Sequence, residues 1–373
     1  MTTTHFDFNS LHDTILKLDI LGHDDPQVLK VMSDISGLDI MSIPVPDKDV
    51  MRIFESSEVL GIPLNTTPDN CGTLGIPEMG TLMARDMIKE TSPSSFFDLV
   101  QLMGLSHGTD VWQNNAQDLI RSGTCTLDEV IGCRDGIMTS LIAWGLDPFA
   151  SFQIMEKVRK GKGLTPEHEV MMIENNVPEW YIESCKKIKY MFPKAHAAAY
   201  VISALRIAWF KVHQPATYYA AYFSVRADEF DYALMNQPLE KITNMRTSMR
   251  KNFHQLTDRE QKIYYIIELV EEMMLRGISF AEIDIEEANA RRFKVIDDKH
   301  IMPALNSINS ISTTMANNIV EARSDGNGEF KSHKDLMTRS GLGQSAIKNL
   351  AENGILSHIP ESAQITLFDM NKF

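Results

Sequence analysis

Phe192-Pro193-Lys194-Ala195-His196-Ala197-Ala198-Ala199-Tyr200 is the stretch on which the reading of this chain turns. It reads as the start of a helix. Pro193 suits a first turn, where a missing N–H costs nothing. The alanines propagate a helix with little loss of side-chain entropy. His196, Tyr200 and Ser203 follow at i, i+4 and i+7 and so share one face. The pattern runs on to Lys211 and predicts a stop before Pro215. Upstream lie Lys186-Lys187-Ile188-Lys189 and Lys157-Val158-Arg159-Lys160-Gly161-Lys162-Gly163. Positive charge therefore gathers near a helix N-terminus, itself an anion site. A triphosphate is the natural guest. The plainer alternative is an Ala-rich core helix with a solvated basic approach.

The 373 residues suffice for two or three domains with real cores. A content of 43% hydrophobic and 23% charged residues is that of a globular protein. No apolar run reaches membrane-spanning length, and Met1–His5 has no signal-peptide pattern, so the chain is expected in the cytoplasm with no membrane partner. Cys71, Cys125, Cys133 and Cys185 have no zinc-ligand spacing and are expected reduced. A net charge of −14 excludes a generic nucleic-acid coat, but not an enzyme with its cations in one cleft. Glu268, Glu271 and Glu272 are expected on outer faces that repel DNA.

Leu16, Leu18 and Ile20 alternate with Lys17 and Asp19, which predicts a half-buried strand within an N-terminal region, residues 1–25. Asp24-Asp25 read as a helix N-cap before Pro26. Residues 26–227 read as mostly helical, with helices expected near 25–32, 47–56, 81–89, 95–103 and 147–157 and a start at Thr124. Leu105–Asp110 reads as a polar turn. Gly161 and Gly163 let backbone approach phosphate oxygens. Residues 228–285 read as a linker and one connecting helix, opened by a Thr257/Glu260 capping box and closed at Gly277.

Residues 286–360 read as a small helix-hairpin-helix-like α/β unit. Its first hairpin is at Ser310 and Ser312 and its second at Gly341 and Gly343. Such hairpins bind DNA phosphates through backbone N–H groups. Ser at the usual glycine positions weakens the first. A packed helical cap without DNA contact is the alternative. The tail, 361–373, carries Gln364, Leu367 and Phe368, suited to a groove on a partner.

FPKAHAAAY, together with KGKGLTPE, VPEWYIESCKKIKYM, GLSHGTD and LKLDILG, resembles the bacterial C-family replicative DNA polymerases of the PolC type, from about Thr4 to Phe368. The resemblance implies a mainly α fold of polymerase fingers, with the last palm strand at the N-terminus and the DNA-binding unit behind. It implies template-directed addition of dNTPs to the 3′ end of a primer-template DNA. In that reading Asp19 is the third palm carboxylate and a Mg²⁺ ligand. Arg159, Lys160 and Lys162 neutralise the triphosphate, and Lys194 and His196 hold phosphate or leaving pyrophosphate. Tyr200 packs on the nucleotide, with Phe192, Ser106 and His107 beside it. The tail resembles the motif that binds the sliding clamp. The family's Asp-x-Asp partner motif is not read in this chain, so the missing palm is expected on another chain or from a longer protein. The rival is a non-catalytic module that binds DNA and clamp and regulates a host polymerase.

Overall fold

A computed structural model of the chain describes residues 4–11, 14–16, 22–67 and 69–362. The expected strand around Asp19 and the tail residues Gln364, Leu367 and Phe368 lie outside them.

The fold is mainly α, and several of its helices begin where the sequence supplies a cap. Helix α1 spans Asp25–Ser36. Helix α2, Leu82–Thr91, is capped by the Thr81 hydroxyl, and α3, Phe96–His107, by a Ser95/Asp98 capping box. Helix α4 covers Arg134–Ala143, and α5, Pro148–Val158, is capped by Asp147. Thr165 caps α6, Pro166–Glu174, and α7 is Glu179–Lys187. The central helix, α8, is Lys194–His213, and α9, Pro215–Val225, follows at the predicted break. Helix α8 packs on α1, α3 and α9. Ala197, Val201, Ala204 and Ala208 line its inner side. These small residues let the neighbouring helices approach closely.

The stretch expected as a linker and one helix holds two packed helices, α10, Leu239–Lys251, and α11, Asp258–Leu275. The Thr257/Glu260 capping box opens α11 as predicted. The acidic residues of α11 correct the sequence reading. Glu268, Glu271 and Glu272 are buried, not on outer faces. Glu268 pairs with Arg85, Glu271 with Arg246 and Glu272 with Lys211. A carboxylate survives in a core only when paired in this way. Burial pulls the Lys211 ammonium down to about 8.

Three short strands follow, β1 Ser279–Phe280, β2 Lys294–Asp297 and β3 His300–Met302. Their order is β1-β3-β2, with β1 parallel and β2 antiparallel to β3. Phe223 of α9 meets Phe293 at 5.6 Å and so joins this sheet to the helical body. Helices α12, Thr313–Arg323, α13, His333–Ser340, and α14, Gln344–Glu352, complete the unit.

Two local expectations are corrected. Thr124–Val130 is a turn, because Glu129 bonds back to Thr126 and closes it. Asp24 makes no side-chain cap, and Asp25 is a buried partner of Arg226. Asp47-Lys48-Asp49 is an Asp-x-Asp in letters, yet the Asp47 carboxylate caps a four-residue helix, Lys48–Met51, and meets His213 at 3.2 Å. It is therefore a capping aspartate.

Candidate nucleotide-binding face

The first turns of α8 carry a column of rings. Phe192 stacks on His196 with centroids 4.8 Å apart and planes at 17°. His196 meets Tyr200 at 4.5 Å. The sequence placed these side chains on one face, and the fold closes that face from two sides. The end of α3 brings His107 edge-on to Phe192 at 5.6 Å and within 6.3 Å of Tyr200. His23 meets Tyr200 at 5.1 Å from the other side.

Ser106 and His107 are not in a loop, as expected, but in the last turn of α3. Their position is fixed by backbone pairing downstream. Thr109 N–H donates to the Tyr190 carbonyl (3.0 Å), and Lys189 N–H donates to the Thr109 carbonyl (3.0 Å). A Cβ on Gly108 would lie 2.3 Å from Val111, so only glycine admits this crossing. His107 Nδ1 donates to the Met103 carbonyl at 2.9 Å. Its Nε2 faces Glu78 at 3.2 Å. The Glu78 contact holds the His107 imidazole above its ordinary range, and the same bond holds Glu78 below its own. Burial and the charge on His107 push His196 down. The face therefore sets His107, whose charged form is favoured, beside His196, whose neutral form is favoured.

The basic turn is brought to this face, but not as free cations. Arg159 and Lys160 both bond the Glu156 carboxylate, which is held down at about 2 by Arg159 first and Lys160 second. Gly161, at φ +68°, does not open the turn to a phosphate. Its missing Cβ makes room for the Lys189 carbonyl, which a Cβ would meet at 2.5 Å. Lys162 is exposed. The N-terminus of α8 already has an anion, since Lys194 N–H donates to Asp135 at 2.7 Å. The Lys194 ammonium lies 4.6 Å from the centre of the Phe97 ring.

Glu78, His23 and Tyr190 belong to this assembly and escaped the sequence reading. No local pattern marks them, because each is brought in from a loop. Glu78 alone leaves a trace, a left-handed backbone at φ +62° that a non-glycine residue rarely adopts.

The hairpins of the C-terminal unit have matching backbones. Ser310 adopts φ +72° despite its Cβ, and the Ser312 hydroxyl accepts from Met315 N–H at 3.2 Å as the N-cap of α12. Gly341 adopts φ +70° and Gly343 is the N-cap of α14. The first hairpin shares a hollow with Asp228, Asp231 and the Glu229–Arg259 ion pair, a wall of net negative charge that disfavours phosphate. A Cβ on Gly341 or Gly343 would meet open space.

Residues 25–179 match the bacterial DNA polymerase III alpha subunit finger domain, and residues 277–364 match a helix-hairpin-helix motif. DNA polymerase III PolC-type of Bacillus subtilis (strain 168) is 50% identical over 366 residues, 98% of this chain. The chain is homologous to PolC-type DNA polymerase III. The same protein of Pediococcus pentosaceus is also 50% identical over 98% of the chain, and that of Staphylococcus haemolyticus is 49% identical over 99%. The chain spans about a quarter of the length of these PolC-type relatives, 25% in each case. The homology covers both the ring-lined face and the hairpin unit.

Among the described residues no three His, Cys, Asp or Glu side chains converge as a metal site. They do not by themselves fit the Mg²⁺ that the resemblance implies, and Asp19 lies outside them. No helix among them is long and apolar enough to cross a membrane.

Proposed function

We propose that this chain grips the incoming nucleotide and holds the duplex in a replicative DNA polymerase, acting with a palm segment that these residues do not supply. The observation that carries the reading is the column Phe192–His196–Tyr200, closed by His107 and flanked by Lys194 and the basic turn. Half-buried rings take up a base or sugar by stacking on the sides left open. His196, kept neutral, can donate one hydrogen bond and accept another. Lys194, Lys162 and an Arg159 released from Glu156 supply charge for the triphosphate. Phosphoryl transfer is mostly a matter of positioning and charge, which is what such a face provides. Duplex phosphates are assigned to the second hairpin, Gly341 and Gly343, ahead of the acid-walled Ser310 and Ser312. Asp19 is the residue assigned to Mg²⁺, which when bound would activate the primer hydroxyl and neutralise the leaving group.

The test is primer extension by this chain combined with a palm-bearing polymerase segment. Asp19→Asn is expected to abolish extension and leave DNA binding nearly intact. Normal extension by the Asn variant would remove Asp19 from the site. DNA binding by the wild-type assembly with no extension at all would make the chain a binding module instead.

A further inference from the structure

The loop residue Glu78 stands between two histidines that come from opposite ends of the helical body. Its Oε2 lies 3.2 Å from His107 Nε2 and its Oε1 3.6 Å from His23 Nε2. His23 in turn places Nδ1 3.1 Å from Asp25, and Asp25 bonds Arg226, the residue that caps the C-terminus of α9. The left-handed backbone at Glu78 is a strained choice for a residue with a Cβ, and strain of this kind gathers where a side chain must be aimed. Glycine would relieve the strain and lose the carboxylate.

His107 Nδ1 lies 2.9 Å from both the Met103 carbonyl, which can only accept, and the Ser106 hydroxyl. When Nδ1 donates to the carbonyl, that nitrogen carries a proton. A neutral ring would then turn the lone pair of Nε2 toward the Glu78 carboxylate. The contact at 3.2 Å is favourable only if Nε2 carries a proton as well. In that arrangement His107 is an imidazolium bonded at both nitrogens, the form that the Glu78 contact favours. Its rigid edge meets Phe192, and its charge faces His196 and Tyr200.

We propose that Glu78 is a positioning residue for the nucleotide face, tying His107, and through it Phe192 and Tyr200, to His23 and so to the start of α1. The proposal rests on the nucleotide-gripping role of the α8 face. Glu78 acts through His107, the ring whose Nε2 it meets at 3.2 Å. The tie would make the geometry at the base depend on His23 and the start of α1, so that the two sides of the ring-lined face move as one body.

The experiment uses Glu78→Gln and Glu78→Asp in the full chain. Ring signals of ¹⁵N-histidine-labelled protein are followed against pH, with His23, His196, Asp25 and Arg226 as the other groups in reach. His107 is expected to lose its second proton at clearly lower pH in Glu78→Gln and to recover part of the shift in Glu78→Asp. An unchanged His107 titration would overturn the tie. In the assembled polymerase, Glu78→Gln is expected to raise KM for dNTP about ten- to hundredfold, the scale of one charged hydrogen bond. The fall in kcat should be smaller, and the alkaline limb of the pH profile should move to lower pH. An unchanged KM with a shifted His107 would make Glu78 a stabilising residue only. Failure of the wild-type assembly to extend primers would overturn the functional role, while the histidine titration would still decide the tie.

Discussion

Arg85 and Glu268, 183 residues apart, meet in a two-pronged bond, with Arg85 Nη2 donating to the carboxylate oxygens at 2.9 and 3.2 Å. Both side chains are buried, at 4% and 3% exposure. The pair locks α2 of the finger region to α11, whose other two buried carboxylates lock α10 and α8. Removing Arg85 leaves the buried Glu268 with only the Tyr264 hydroxyl at 2.6 Å and the Arg250 guanidinium at 3.9 Å, and takes one of two arginines from Asp69. Arg85→Met is expected to lower the unfolding free energy by about 3–5 kcal/mol. The double variant Arg85→Met/Glu268→Leu should recover most of that loss. Denaturant titration of the three proteins measures both, and an Arg85→Met loss below about 1 kcal/mol would refute the account.

Glu156 competes with any phosphate for Arg159 and Lys160. Glu156→Gln is expected to lower the apparent KM for dNTP by up to about fivefold, the scale of a partly exposed ion pair. Arg159→Ala and Lys162→Ala should raise it. Steady-state titration decides. A weaker DNA affinity with unchanged dNTP dependence would move the turn to the template path.

The Glu78–His107 contact stabilises the fold within a pH window. His107 is raised, so its share is full below the unfolded histidine range and is lost as pH rises through the folded value. Glu78 is lowered, so its share is present above the unfolded carboxylate range and is lost as pH falls through the folded value. The stability difference between wild type and Glu78→Gln should therefore peak between about pH 4.5 and 6.5. Unfolding curves across pH 3–9 check it, and a flat difference would refute it.

Ser310 holds a left-handed backbone that its hairpin requires. Ser310→Gly is expected to stabilise the chain by about 0.5–1 kcal/mol, and Gly341→Ala to destabilise it by about 1 kcal/mol. Thermal unfolding measures both. A destabilising Ser310→Gly would show that the hydroxyl outweighs the strain.

The tail prediction comes from sequence. A peptide of residues 361–373 is expected to bind a bacterial sliding clamp with micromolar affinity, through Leu367 and Phe368, which could contribute roughly 1.5–3 kcal/mol each. Fluorescence anisotropy tests it. Equal binding by the Leu367→Ala/Phe368→Ala peptide would refute it.

The sequence by itself determined what is local. The break before Pro215, the capping box at Thr257 and the shared face of Phe192, His196 and Tyr200 follow from residue types a turn or two apart. Their physics lies within one helix, so spacing suffices. It also carried the resemblance that homology to PolC-type polymerases bears out. What only the tertiary structure decided is where charges end up. Glu268, Glu271 and Glu272 read as a solvated face because nothing near them in sequence announces Arg85, Arg246 or Lys211. The KGKG turn read as a bare cationic cradle, since Gly161 gives no sign that the Lys189 backbone will fill its open side. Glu78 was silent because its partners, His23 and His107, lie 55 and 29 positions away, beyond any periodicity. The energy of an ion pair depends on its partner and on burial, and both are set by chain closure over long separations, which a one-dimensional pattern does not encode.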